Sequence, residues 1–495
     1  MDSLYQETNN ALLLSDYQWS RNPRGLHVSR VLITPLDYAR WSDPHFGWVK
    51  LVAAEYEYVD DAMTFLSRGI TPVVRIYLPR YGAGGFSAGL RDLTLAYIRA
   101  GVKWFEFYNE PNLPIEWPEG TWIHWQNFDG IIRPMMDNWL AWAEFIISMG
   151  CYPGFTALAE SDAPDAAAVL WMDAFLNYLS QAHYDRFFRI LNSGMFVATH
   201  PYILNHYYQE VPGGGPFSVR EPEVQNGAEG GWHFEYPYDP ISQRLDPGRT
   251  VYGGTALTPR GDPVGLTAMG RMFNERCSQI WGTQAVPVLG TEGGIWPFPT
   301  TADVPYYQQD NRYPRYTHES QAEATLAMFN WSATSAPPWF FGVCLWKEDV
   351  YYEPGRARAI TRLQEVAPLY KAVPEIDVMG TPTGHGPGPI QGEPSFHAVI
   401  LAPGLEPAWF FDTAQAYWNT FRPLVTTLWN FIEHIPYDRS LAVTVISPPD
   451  MVDLMTTSIQ QQYPNVVFDL LIASGDKGSV ADALNARVWG NRRLG

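Results

Sequence analysis

The stretch Lys103-Trp104-Phe105-Glu106-Phe107-Tyr108-Asn109-Glu110-Pro111-Asn112 decides how the chain reads. It is an apolar, aromatic run of the kind that forms a buried strand, and it stops abruptly at Asn-Glu-Pro. Proline removes a ladder donor and pushes the residue before it toward extended backbone. Glu110 is therefore expected in extended geometry at the carboxyl end of a strand, where a loop begins. A carboxylate placed there, beside an amide and several rings, is costly to keep unless it does chemistry.

Outward from this stretch, seven more runs repeat the pattern. In order with it they are Gly25–Val28, Gly47–Val52, Thr71–Leu78, Lys103–Asn109, Tyr152–Ala159, Met195–His200, Ala285–Gly290 and Phe340–Trp346. Helix-like segments lie between them. Val31–Trp41 reads as a short helix or irregular chain. Asp60–Arg68, Leu90–Ala100 and Ile131–Met149 are closed by Gly69, Gly101 and Gly150, the usual stop signal. Ala163–Leu179, Val264–Ile280, His318–Ala333 and Ala357–Ala372 continue the series. The strands lack clean alternation, as expected of parallel strands covered on both faces. Alternating βα units of this number predict an α/β protein built as a (β/α)₈ TIM barrel. An open doubly wound sheet is the alternative, but no glycine-rich phosphate turn follows an early strand.

The segment Gly380–Pro394, GTPTGHGPGPIQGEP, is too rich in Gly and Pro for regular structure. It predicts three parts: a catalytic barrel over residues 1–375, a linker over 376–395, and a small α/β module over 396–495. In the module Phe396–Leu401, Leu441–Ile446 and Val466–Ala473 read as strands. Thr413–His434, Asp450–Gln461 and Val480–Trp489 read as helices. Nothing in its sequence states a role.

Composition narrows the partners. With 46% hydrophobic residues the chain can bury a large core. Twenty Trp and 28 Tyr exceed what packing alone requires and hint at rings that stack on sugars, although filling a core is the plainer use. A formal charge of −19 argues against nucleic acid or an anionic membrane and suits a neutral substrate. Cys151, Cys277 and Cys344 lie far apart without metal-ligand spacing, so no disulfide framework, metal site or cofactor is expected. The first twenty residues do not read as a signal peptide, and no apolar run is long enough for a membrane span. A cytoplasmic protein is expected, or a secreted one if a leader was removed; oligomeric state is not legible.

Two connections exceed the usual length of about two to six residues. One runs over 111–130 and carries Trp117, Trp122, His124 and Trp125. The other runs over 203–263 and carries Tyr207, Tyr208, Phe217, Trp232, Phe234, Tyr236 and Tyr238. Both leave carboxyl ends of strands, the active face of such a barrel, and read as walls of a binding cleft, Trp117 and Trp232 included.

A second carboxylate occupies an equivalent place. The seventh run ends Val288-Leu289-Gly290-Thr291-Glu292-Gly293-Gly294, with glycines expected to let a ligand approach the backbone. Fourth and seventh strands of an eight-stranded barrel face each other across the lumen. Paired carboxylates over one pocket are what glycoside hydrolysis needs, one protonated toward the leaving oxygen and one ionised.

Asn109-Glu110-Pro111 after a fourth strand and Thr291-Glu292-Gly293 after a seventh resemble the clan A glycoside hydrolases, retaining (β/α)₈ enzymes that include cellulases, mannanases and β-xylosidases. The likeness runs in strand order from about Gly25 to Val373. It implies that Glu110 is the acid/base, Glu292 the nucleophile, and Asn109 the partner of the sugar 2-hydroxyl. By the same resemblance Tyr202 of His200-Pro201-Tyr202 donates to Glu292, His200 lines that subsite, and Trp346 lies under the sugar. Arg75, at the end of the third run, is a further candidate partner for Glu292, although the clan's arginine usually comes from the second strand, which here offers only Lys50. Glu106 shares a strand face with Glu110 and is expected to pair with Arg75 rather than to react.

The implied function is a retaining hydrolase of β-glycosidic bonds in an oligo- or polysaccharide, with carbohydrate as its partner. A transglycosylase would use the same residues, and a non-catalytic glycan-binding barrel is the rival from another class. A serine hydrolase is disfavoured, because no G-x-S-x-G elbow occurs.

Overall fold

The computed structural model describes residues 11–30, 34–215, 217–296, 310–355, 357–372, 387 and 394–495, except for 430, 433–434, 436–438, 462 and 475–476. The chain divides into two compact units, residues 1–377 and 378–495. Most of the Gly/Pro-rich stretch falls outside the described residues.

In the first unit eight parallel strands close into a barrel. They are β1 Arg24–His27, β2 Trp48–Ala53, β3 Thr71–Ile76, β4 Trp104–Glu106, β5 Tyr152–Phe155, β6 Phe196–Thr199, β7 Val288–Gly290 and β8 Phe340–Leu345. Each pairs with its neighbours in sequence order, and β8 closes on β1 with Leu26 opposite Leu345. Every residue of β1, β3, β4, β5, β6, β7 and β8 is buried, which explains the missing alternation.

Helices cover the outside: α1 Pro35–Ser42, α2 Val59–Ser67, α3 Ala88–Arg99, α4 Arg133–Ser148, α5 Ala168–Ala182, α6 Tyr184–Asn192, α7 Pro240–Leu245, α8 Ala268–Trp281, α9 His318–Thr334, α10 Glu348–Tyr351 and α11 Arg358–Glu365. Their ends follow local chemistry. The Ser87 hydroxyl accepts from Leu90 N–H at the start of α3, and Thr317 accepts from Ser320 N–H at the start of α9. Gly282, at φ +67°, closes α8 in the left-handed turn that glycine favours.

The lumen is sorted by polarity. Its amino-terminal end is plugged by rings: Trp104 meets Trp48 and Phe196 at 5.0 Å each, and Trp19 stacks on Phe341 at 4.0 Å. Gln18 takes the Trp104 indole N–H on its carbonyl, so the segment before β1 seals that end. Much of the aromatic surplus is thus core, as offset and edge-on ring pairs pack well there. Above the plug the lumen turns charged, with Lys50, Arg75, Glu106 and Glu292 all buried.

The 203–263 connection folds on itself. Tyr208–Gln209 pairs antiparallel with Trp232–His233. Buried Gln209 donates to the carbonyls of Asn226 and Gly230 at 3.0 Å and accepts from Asn226 N–H at 2.9 Å. Tyr208, Tyr236, Ile241 and Tyr313 make a small core of their own. Most of this loop's rings therefore hold the loop together.

The second unit is a four-stranded parallel sheet. Its strands are β9 Phe396–Leu401, β10 Leu424–Thr426, β11 Leu441–Ser447 and β12 Val467–Ile472, in the order β10-β9-β11-β12. With α12 Pro407–Phe421, α13 Val452–Met455 and α14 Lys477–Trp489 it is α/β as expected. The helix predicted over Thr413–His434 is a correction: α12 starts earlier and stops at Arg422, whose φ of +49° is left-handed, and Pro423 leads into β10. Among the described residues no helix is long and apolar enough to cross a membrane.

Candidate active site

β4 stops at Glu106, four residues short of Glu110. The chain stays beside β5 for one more contact, a parallel bridge from Asn109 to Ala157. Glu110 then takes φ +32°, not the extended backbone expected before proline. Its carbonyl accepts from Leu113 N–H at 2.8 Å, so the Pro111 turn closes on Glu110 and overrides the proline's preference. A positive φ costs a non-glycine residue about 1–3 kcal/mol, and the surrounding hydrogen bonds hold it.

Glu292 follows β7, buried. The glycines after it serve packing rather than ligand approach. A Cβ on Gly293, at φ +129°, would stand 2.5 Å from the Pro201 carbonyl, and Gly294 N–H donates to that oxygen at 2.9 Å. The His200-Pro201-Tyr202 segment thus lies against the Glu292 loop, with Tyr202 bridged to Gly294.

This packing sets the two carboxylates around one imidazole. His200 Nδ1 lies 2.8 Å from Glu110 Oε1 and 3.7 Å from Glu292 Oε2. Laid end to end, those distances keep the two oxygens within about 6.5 Å of each other. Arg75 Nη1 donates to Glu292 Oε1 at 2.7 Å, and the Tyr202 hydroxyl donates to Glu292 Oε2 at 3.4 Å. Arg75 also donates to Asn109 Oδ1, while Asn109 Nδ2 donates to Glu116 Oε1 at 2.7 Å.

The charges settle Glu292's state. Burial alone would push its carboxyl up, but His200 and Arg75, then His27 and Lys50, outweigh burial and hold it at about 2. It is ionised across the physiological range. His27, on β1, is pushed down to about 3, chiefly by burial. Its Nδ1 faces the Val28 carbonyl at 2.6 Å, so that nitrogen carries the proton, leaving Nε2 bare 4.0 Å from Glu292 Oε1.

Glu106 does not pair with Arg75. It forms an ion pair with Lys50 inside the barrel. In a TIM barrel the side chains of one layer come from alternate strands, so β2 and β4 share a layer while β3 feeds the next. Arg75 is the register neighbour of Glu106 but serves the layer that reaches Glu292.

The remaining candidates separate. Trp346, after β8, sets its ring edge-on to His27 at 4.4 Å. Trp117 is buried and lines a cavity with Arg75 and Asn109. Trp232 is not brought to the carboxylates: its indole donates to the Asn226 carbonyl, and its ring stacks on Phe234 against Trp331 of α9. Sequence reading passed over His27, Glu116 and Glu160. Glu160 follows β5, and burial pushes its carboxyl well above the ordinary range; Asp262, Glu235 and Glu110 add to this and Gly265 N–H opposes it. A charge inside or just past an apolar run was the available signal for each. Among the described residues no group of three His, Cys, Asp or Glu side chains is arranged to hold a metal ion.

No family model matches the chain. No curated protein is similar to it either. Among solved structures, a curdlan-specific exo-β-1,3-glucanase of glycoside hydrolase family 128 from Blastomyces gilchristii, in complex with glucose, is 12% identical with a TM-score of 0.36, covering 70% of this chain and 99% of that one. An endo-β-1,3-glucanase of the same family from Sorangium cellulosum is 11% identical with a TM-score of 0.37, again over 70% and 99%. At such scores the barrel rests on its own strand pairing.

Proposed function

We propose that this chain is a retaining glycoside hydrolase that cleaves β-glycosidic bonds in an oligo- or polysaccharide. The observation that carries the reading is the pair of carboxylates held around His200. Retaining enzymes set their carboxyl groups about 5–5.5 Å apart and inverting ones about 6.5–9.5 Å. A ceiling of about 6.5 Å between the two His200-facing oxygens favours direct attack over a bound water.

In this reading Glu292, kept ionised by Arg75 and His200, attacks the anomeric carbon. Oε1 is held by Arg75 at 2.7 Å, and Oε2, with its longer contact to Tyr202, is the freer oxygen. Glu110 gives its proton to the leaving oxygen as the glycosidic bond breaks, and a glycosyl ester on Glu292 results. Water then attacks that ester, losing a proton to Glu110, and Glu292 leaves as a carboxylate. His200 stays in contact with Glu110 through the cycle and orients it. Asn109, held through both ends of its amide, stands at the sugar 2-hydroxyl.

The test is a panel of aryl β-glycosides against wild type, Glu110→Gln and Glu292→Gln. Turnover by wild type with the β-anomer formed first is expected, and each variant should lose at least about a hundredfold in kcat. Activity surviving in Glu292→Gln would remove the assigned nucleophile. Wild type that binds glycans without turning over any β-glycoside would make the barrel a binding protein.

A further inference from the structure

Trp232 does not reach the carboxylates, yet its ring is not spent on packing alone. It lines a groove on the outer wall of the barrel, between the turn at 227–231 and the last turns of α9, with Leu369 beyond α11 on the third side. The groove offers about 400 Å³, within the range of small-molecule sites. A second groove of about 480 Å³ shares Glu229, Gly230 and Gly231 with it, so the two run on as one trough around the turn.

The trough lies away from the reacting groups. α9 ends at Thr334 and β8 begins at Phe340, so the last turns of α9 stand beside the amino-terminal ends of the strands. Lys371 confirms the place: its Nζ donates to the Ser332 and Ala336 carbonyls, and its N–H donates to the Arg21 carbonyl ahead of β1. Glu110 and Glu292 follow the carboxyl ends of β4 and β7, at the other end of the barrel.

Its walls are fixed in advance. Gly227 N–H donates to Glu323 Oε2 at 2.6 Å, and Arg362 of α11 donates to Glu323 Oε1 at 2.6 Å, so the turn, α9 and α11 meet on one carboxylate. A Cβ on Gly227 would stand 2.5 Å from the Glu323 carbonyl oxygen, so only glycine lets the turn come this close. Phe234 lies parallel to one face of Trp232 and edge-on to Trp331. Both indoles are half-buried, and both line the groove.

The lining selects a neutral ligand rich in hydroxyls. Beside the indoles stand the Asn330 amide and the Thr334 and Ser335 hydroxyls, none of them charged. Glu229 is engaged by Arg220 at 2.7 Å and by Asn226 at 2.9 Å. Among the described residues no lysine or arginine lines either groove, so an anion finds no cation there. Amides and hydroxyls donate and accept, as sugar hydroxyls require, and an indole presents an apolar face to the C–H side of a pyranose. Two grooves joined end to end suit a chain of sugars better than a single ring.

We propose that this trough is a second glycan-binding site, which holds a stretch of polysaccharide against the outer wall of the barrel, away from the bonds that are cleaved. Trp232 and Trp331 carry the sugar rings, and Asn330 and Thr334 bond their hydroxyls. That the glycan is the enzyme's own β-linked substrate rests on the glycosidase reading; the preference of the groove for a neutral sugar does not. A chain held there stays near the protein between cleavage events.

The test is gel retardation of the full chain carrying Glu292→Gln through hydroxyethyl cellulose, glucomannan, xylan and soluble β-1,3-glucan, with affinities read from the mobility. At least one of these glycans is expected to retard the chain. Trp232→Ala should bind it about tenfold more weakly, and Thr334→Arg, which sets a bulky charge at the exposed end of α9, several-fold more weakly. Turnover of aryl monoglycosides by either variant, with Glu292 restored, should match wild type. Thermal melts identify a variant that fails to fold, and the other then carries the comparison. Equal retardation of all folded variants overturns the site, and so does a chain that none of the four glycans retards. Aryl turnover by wild type with unchanged affinities in the variants leaves an enzyme without this second site. Affinity lost in the variants, with no turnover of any β-glycoside, keeps the site and removes the reaction.

Discussion

Arg75 Nη1 donates to Glu292 Oε1 at 2.7 Å, with both side chains buried. A buried carboxylate would otherwise take up a proton; His200 and, next to it, this contact with Arg75 make Glu292 an anion where burial argues against one. Arg75→Met should raise the Glu292 carboxyl from about 2 toward the ordinary range. A carboxyl depressed in the folded state adds stability above its unfolded value, and that stability is lost as pH falls through the folded value. In the variant this contribution should shrink, its loss being complete at a higher pH because the folded value moves up toward the unfolded one, and the acid limb of kcat/KM should move up with it. Melting curves and rate profiles between pH 2.5 and 7 check both shifts; an unmoved acid limb contradicts the pairing.

The Lys50–Glu106 pair lies below that contact in the lumen. Burial, then the neighbouring Arg75, pushes the Lys50 ammonium well down and Glu292 opposes that shift, while Glu106 is the carboxylate in direct contact with it. Glu106→Gln should cost about 3–5 kcal/mol by denaturant unfolding. Lys50→Met with Glu106→Leu, which removes both charges, should cost less than Glu106→Gln alone.

Glu160 carries the opposite shift. Its carboxyl is raised well above 4.5 by burial and by Asp262, Glu235 and Glu110. Above pH 4.5 the unfolded chain ionises this group while the folded chain resists, so stability declines as pH rises toward neutrality. Glu160→Gln should remove that decline: the variant gains on wild type as pH goes from about 4.5 to 7, and the two converge below it. Melting temperatures of both proteins over that window are the measurement.

Much of this was legible in the chain. Eight apolar runs separated by helix-like segments gave the barrel because parallel strands buried on both faces leave a plain signature. Both carboxylates stand out in the sequence because each follows such a run. What escaped depends on distances that spacing does not carry. Glu106 pairs with Lys50, not Arg75, because a barrel layers alternate strands. Gly293 makes room for Pro201, not for a ligand, because the β6 and β7 loops pack together. Trp232 reads like a cleft wall by loop membership, yet its hairpin folds back on Phe234 and toward α9. Arg422-Pro423 is a stop signal, since a residue before proline avoids helical backbone, yet the predicted helix runs past it to His434.

In the proposed cycle Glu292 becomes covalently glycosylated. Incubation with an activated 2-deoxy-2-fluoro-β-glycoside of whichever sugar wild type hydrolyses, followed by peptide mass analysis, measures that step directly. A fluoroglycosyl adduct on Glu292, formed as activity falls and absent from Glu292→Gln, is the predicted result. An adduct on any other residue, or inactivation with Glu292 unmodified, would contradict it.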